Sequence, residues 1–216
     1  MTDRQPDIWE TLFQRALVLI DSAAAAGAEI RHWSFGGGTV LMRRYRHRFS
    51  KDIDIFINDP QYLGYLTPRL SDTAESLTTD YVEQANFLKL SFAEGEIDFV
   101  VSAPLTAAPV RTESIFGRKV LVETSTEIVA KKIWHRGAYF TARDIFDLAL
   151  VAEREAEALH EIAPVLRDRR DATLAHIEMN RARLREDFDA LITLDYSRSF
   201  DECVELVTQA LHRAGK

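Results

Sequence analysis

Cysteine occurs once in the 216 residues, at Cys203. A single thiol makes neither an internal disulfide nor a zinc cage, so the expectation is an intracellular, cytoplasmic protein. Cys203 lies in an amphipathic stretch and reads as a core position. Long hydrophobic runs are missing too; none approaches the roughly 20 residues of a membrane span, so no membrane association is expected. The N-terminal stretch MTDRQPDIWE lacks the basic and apolar regions of a signal peptide. Positive charge is scarce: 27 Lys and Arg stand against 34 Asp and Glu, for a net charge of −7. That balance argues against a surface coated with cations for nucleic acid. There is no repeat, low-complexity segment or Pro/Gly/Ser linker.

Against this acidic background one segment stands out. From His32 to Lys51 there is no acidic residue, while Arg43, Arg44, Arg46, Arg48 and Lys51 fall close together. A solvated helix face explains such a block as well as an anion-binding surface does. Local patterning predicts a helix over 7–26, a short strand in IRHWSF, a glycine break, a helix in TVLMRRYRH and a strand in KDIDIFIN. NFLKLSFAEGEIDFVVS reads as a hairpin with its turn at Glu94–Gly95. RKVLVET adds a last strand. From Ser125 the pattern is helical throughout, over 125–137, 141–155, 156–170, 171–193 and 199–213. The fold class is therefore α+β, a mixed sheet with flanking helices over 1–123 followed by a helical part over 124–216.

Two carboxylates interrupt an apolar strand. Side chains two apart on a strand share a face, so Asp52 and Asp54 point one way and Ile53 and Ile55 the other. Like charges that close repel and resist burial. A hard divalent cation relieves both problems; a wet strand face does so as well. Glycines upstream, between a strand and a helix, offer free backbone N–H groups as an anion site. A third carboxylate, Asp98, lies in the apolar strand EIDFVV, with Glu96 on its face as the competitor.

In combination, Gly37-Gly38-Thr39, the stretch Arg48–Asp54, Asp98, Lys132 in EIVAKKIW and Arg143–Leu148 in RDIFDL resemble the AbiEii/AbiGii toxin group. That group belongs to the DNA polymerase β-like nucleotidyltransferase superfamily and occurs in abortive-infection and toxin–antitoxin systems. The resemblance spans about residues 33–150. It implies a nucleotidyltransferase that moves NMP from an NTP to a hydroxyl acceptor, RNA and tRNA ends in particular. It implies two Mg²⁺ held by Asp52, Asp54 and Asp98, with either a metal or the third Asp activating the attacking hydroxyl. Gly37, Gly38 and Thr39 would hold phosphates, with Arg48, Ser50, Lys51 and Asp144 completing the nucleotide site. The Arg43–Lys51 block would meet acceptor phosphates, and a cognate antitoxin would be a partner.

Of the adjacent lysines, Lys131 falls four residues after Glu127 and reads as half of a solvated pair. Lys132 lies beside Val129 and Ile133 and either snorkels or, as the resemblance implies, acts catalytically on the triphosphate. Asp144 and Asp147 share a helix face, and Arg143, four residues before Asp147, could simply pair with it. Asp144 is the stronger functional candidate and Asp147 the weaker, against a structural cap or ion pair. The six histidines show no metal spacing. Two alternatives stay open: the same chemistry on a protein or small-molecule acceptor, and an inactive binding module that keeps the fold.

Overall fold

The first helix, α1 (Ile8–Ala25), exists because Trp9, Leu12, Phe13, Ala16, Leu19, Ile20 and Ala23 recur at three and four residues and are all buried. In this computed structural model, which describes residues 8–214, β1 (Ser34–Gly36), α2 (Gly37–Tyr45) and β2 (Ile53–Ile57) come next. Two short helices, α3 (Leu63–Leu66) and α4 (Asp72–Leu77), precede β3 (Tyr81–Gln84), β4 (Phe87–Ser91), β5 (Glu96–Val101), β6 (Val110–Ile115) and β7 (Arg118–Glu123). Helices α5 (Ser125–Arg136), α6 (Ala142–Arg154), α7 (Ala163–Met179), α8 (Arg181–Asp189) and α9 (Phe200–Arg213) complete the chain. The expected helix start at residue 7 and most of the stretch in which no signal peptide was expected lie outside the described residues. Among the described residues no helix is long and apolar enough to cross a membrane.

Two units emerge. The first comprises residues up to Val40, Ser50–Ala103 and Val110–Glu123. Its seven-stranded sheet has the order β3-β4-β5-β2-β1-β7-β6. The β2–β5 and β1–β7 pairs are parallel and the others antiparallel, so the sheet is mixed. Along β2, Ile53, Ile55 and Ile57 are buried, while Asp54 and Phe56 are half-buried. The register sets Ile53 beside Ile97 and Ile55 beside Phe99, and Leu88 and Leu90 opposite Phe99 and Ile97. All are fully buried, and α1 packs against β2 and β5. Each such side chain contributes about 1.5–3 kcal/mol, which pins the register and therefore the opposite face of the same strands.

The second unit comprises Leu41–Phe49, Pro104–Pro109 and everything from Thr124 onward. Residues 46–49 run beside 192–195, with Phe49 N–H donating to the Ile192 carbonyl at 2.8 Å and Leu194 N–H to the His47 carbonyl at 2.9 Å. Helices α6 and α9 each begin with a capping box, Thr141 with Asp144 and Ser199 with Glu202. Phe146, Phe188, Tyr196 and Phe200 form an edge-to-face cluster between them. Cys203 is buried, and burial pushes its thiol up to about 12.

The elements differ from expectation in two ways. Strands β3 and β6 were not anticipated; both are edge strands with mostly polar, half-exposed residues. The helices expected at 156–170 and 171–193 are instead α7 and α8. Pro164 opens α7 and the break comes at Asn180, which caps both neighbours.

Candidate active site

The register of four strands builds one row. Asp54 on β2 pairs with Asp98 on β5 and, on its other side, with Gly36 on β1. Lys89 on β4 stands opposite Asp98. Two carboxylates thus sit side by side on the face that Ile53 and Ile55 do not occupy. Asp52 lies one residue before β2, and its Oδ1 accepts the Glu96 N–H at 3.1 Å. Glu96, the competitor for the third carboxylate, is hydrogen-bonded to the Lys89 ammonium; Asp98 holds the in-register place. Lys89 Nζ lies 3.8 Å from Asp98 Oδ1. That oxygen is buried and accepts no hydrogen bond. Burial, then the charge of Asp54, pushes the Asp98 carboxyl up to about 7, with Lys89 opposing and Glu96 and Asp52 adding to the rise.

Glycine is required where the helix meets this row. Gly37 has φ +74°, and a Cβ there would lie 1.8 Å from Asp54 Oδ2. A Cβ on Gly36 would lie 2.3 Å from Glu123 Oε2. Helix α2 starts at Gly37, so the amides of Gly37, Gly38 and Thr39 belong to its first turn, where helix N–H groups lack intrahelical acceptors. The Thr39 side chain is fully buried, and its hydroxyl bonds the Asp52 carbonyl at 2.6 Å and the Ser50 hydroxyl at 3.0 Å. Thr39 and Ser50 therefore brace the approach to β2 with their hydroxyls. Lys51 is half-buried beside them.

A second cluster forms inside the helical unit. Lys132 Nζ lies 2.6 Å from Asp144 Oδ1 and 3.0 Å from Asp147 Oδ2. Arg48 forks onto Asp147 through Nε and Nη2, both at 2.7 Å, and His47 Nε2 meets Asp147 Oδ1 at 2.7 Å. Burial would raise Asp147, but Arg48, Lys132 and His47 hold it well below the usual carboxylate range. Asp144 is held low in the same way, its burial outweighed by Lys132 and Arg136. It also accepts the Thr141 N–H and hydroxyl, so it is both cap and ion-pair partner. Burial keeps His47 below its ordinary pKa.

One expectation is corrected here, and Arg48, expected at the nucleotide, is placed: its side chain is 3% exposed and forked onto Asp147. Lys131 and Glu127 were expected in solvent. Glu127 is fully buried and Lys131 is 6% exposed, because every residue of α5 from Ser125 to Ile133 is buried. Glu127 accepts the N–H groups of Leu105 and Thr106 and the Thr106 hydroxyl, tying down that loop.

Sequence reasoning missed Lys89, Glu123 and His47. Lys89 was legible only in part: it is the one charge in β4, but pairing back from a Glu94–Gly95 turn puts Ser91 opposite Asp98. The turn is instead Ala93–Glu94, with Phe92 and Gly95 exchanging backbone hydrogen bonds, and that one-residue shift brings Lys89 opposite Asp98. Glu123 ends β7, is buried and accepts from the Ser34 hydroxyl at 3.2 Å; only the tertiary pairing of β7 with β1 places it beside Gly36. Among the described residues, no three His, Cys, Asp or Glu side chains converge to hold a metal ion. The Asp54–Asp98 pair nonetheless fits a cation, since Asp98 Oδ1 is buried without a hydrogen bond and its charge is opposed by its neighbour.

A mixed sheet with paired aspartates beside a Gly-Gly helix start defines a nucleotidyltransferase-type architecture. Three solved structures share the fold: a candidate nucleotidyltransferase from H. pylori (16% identity, TM-score 0.56, covering 99% of this chain and 96% of that one), JHP933 from Helicobacter pylori (16%, 0.56, 99% and 93%), and MenT4, nucleotidyltransferase toxin Rv2826c from Mycobacterium tuberculosis H37Rv (14%, 0.56, 98% and 84%). A search of curated proteins finds no match. Residues 20–213 match the family described as nucleotidyl transferase AbiEii toxin, Type IV TA system. The chain belongs to that family. It is a nucleotidyltransferase toxin that uses an NTP, and its family implies a cognate antitoxin.

Proposed function

We propose that this chain transfers a nucleoside monophosphate from an NTP to a hydroxyl of RNA, tRNA ends in particular, with Mg²⁺ as cofactor. The observation that carries the reading is the in-register Asp54–Asp98 pair against the Gly37 backbone. Asp54 and Asp98 would hold the cation; Asp52, whose charge also acts on Asp98, would join them once the cation draws the three carboxylates together. Bound Mg²⁺ would neutralise triphosphate charge at the reacting phosphorus. The first-turn amides of α2 would take phosphate oxygens. The acceptor hydroxyl would give its proton to a carboxylate of the row, its oxygen would form the bond to the α-phosphorus, and the bond to the bridging oxygen would break as pyrophosphate leaves. Lys132 is assigned to the triphosphate, where phosphate oxygens would compete with Asp144 and Asp147 for its ammonium. Asp144 acts through Lys132. Arg43, Arg44 and Lys51 are the acceptor-phosphate candidates that remain once Arg48 is committed to Asp147.

The test is incubation with each α-labelled NTP, Mg²⁺, and total RNA or total protein, using wild type and Asp54→Ala. Label in RNA from wild type only supports the reading. Label confined to protein moves the acceptor to the alternative class. Equal labelling by Asp54→Ala removes the carboxylate assignment.

A further inference from the structure

The carboxylate row contains a cation of its own. Lys89 sits across the antiparallel pair from Asp98, whose other neighbour is Asp54, so the three form one line over β4, β5 and β2. Its ammonium is hydrogen-bonded to Glu96 and lies 3.8 Å from Asp98 Oδ1. Its side chain is 31% exposed, so the ammonium has solvent to move into. Nothing apolar needs a lysine here: Leu88 and Leu90 bury on the other face. Three carboxylates on adjacent positions repel unless a positive charge stands among them.

We propose that Lys89 is the resident counter-cation of this row, a positioning residue that holds Asp98 and Glu96 in the metal-free protein and yields Asp98 when a divalent cation binds. This rests on the metal-dependent reading above. Lys89 then tunes metal affinity downward, since a divalent ion must displace a unit charge already attracted to the same oxygens. The row would keep its geometry before the metal arrives.

The probe is Mn²⁺ alone, without nucleotide, titrated into the full chain and followed by electron paramagnetic resonance. Lys89→Met should bind Mn²⁺ about tenfold more tightly than wild type, and Lys89→Arg should stay near wild type. Equal affinity in Lys89→Met and wild type overturns the role of Lys89 and leaves the metal reading standing. Absence of Mn²⁺ binding in all three overturns both. A measurement on wild type alone covers a variant that fails to fold: amine acylation read by mass spectrometry. Acylation of Lys89 should rise when Mn²⁺ is added; an unchanged level overturns the proposal.

Discussion

Gly37 shows how little freedom the site leaves its backbone. At φ +74° any side chain is strained, and a Cβ would sit 1.8 Å from Asp54 Oδ2. Gly37→Ala should therefore destabilise the protein by about 2 kcal/mol or more, as a lower urea midpoint. Asp54 is different. Its removal relieves repulsion toward Asp98, so Asp54→Ala should fold normally yet lose nucleotidyl transfer. Carboxyl NMR of the metal-free variant should find Asp98 below its value of about 7, though still raised by burial, the larger cause. An unmoved Asp98 titration would show that the two carboxylates do not feel each other. The lysine pair also behaves differently once its surroundings are known. An exposed Glu127–Lys131 pair would contribute about 0.3–0.5 kcal/mol. Buried at 3.5 Å, its loss in Lys131→Ala should cost about 3–5 kcal/mol, measured by denaturant unfolding, without a direct effect on the carboxylate row.

At the scale of elements, the contact of the 46–49 segment with α6, His47 against Asp147, carries the acid sensitivity of the helical unit. Burial holds His47 below its ordinary pKa, so the unfolded chain takes up a proton that the folded one refuses. Stability is full above about pH 6.5 and falls as pH drops below it. Asp147 adds a second loss at lower pH. Its folded pKa is depressed, so its contribution is present above about pH 4 and disappears as pH falls toward the folded value. His47→Gln should flatten the part of a stability curve that falls just below about pH 6.5 and leave the later fall; an unchanged slope would mean another group carries it. What could be read in advance divides along similar lines. Strands β2, β4 and β5 were legible because their alternation is strong and one face is buried, and the placing of Asp54 and Asp98 on the other face followed from it; Asp52, expected in the strand, precedes it. That Asp54 and Asp98 stand in register was beyond the sequence, since two strands separated by some forty residues pair through tertiary packing alone. Strands β3 and β6 were illegible because edge strands with polar faces carry no clear period. The two-faced burial of α5 defeated the attempt to sort Lys131 from Lys132 by helical phase: periodicity separates sides only when one side is wet.

For the whole molecule, net charge and local charge pull in opposite directions. A chain of net charge −7 repels RNA at long range, so association must rest on short-range contacts from a confined set of cations. The structure narrows that set. Arg48 is buried on Asp147, and exposed Arg46 is engaged by Asp195 at 2.8 Å. Arg43 and Arg44, in the last turn of α2, are half-buried and have interactions of their own, so any phosphate they meet competes with existing partners. Each single-strand phosphate neutralised releases counterions and adds about 0.7 to the slope of log affinity against log salt. If both arginines meet RNA, replacing them together by Gln should lower that slope by about 1.4 and weaken binding similarly across sequences. Fluorescence anisotropy with a labelled RNA, from about 50 to 200 mM salt, measures it directly. A weaker affinity with an unchanged slope would mean that the arginines support the fold of the α2 region instead, and that the acceptor is held by groups that do not contact its backbone.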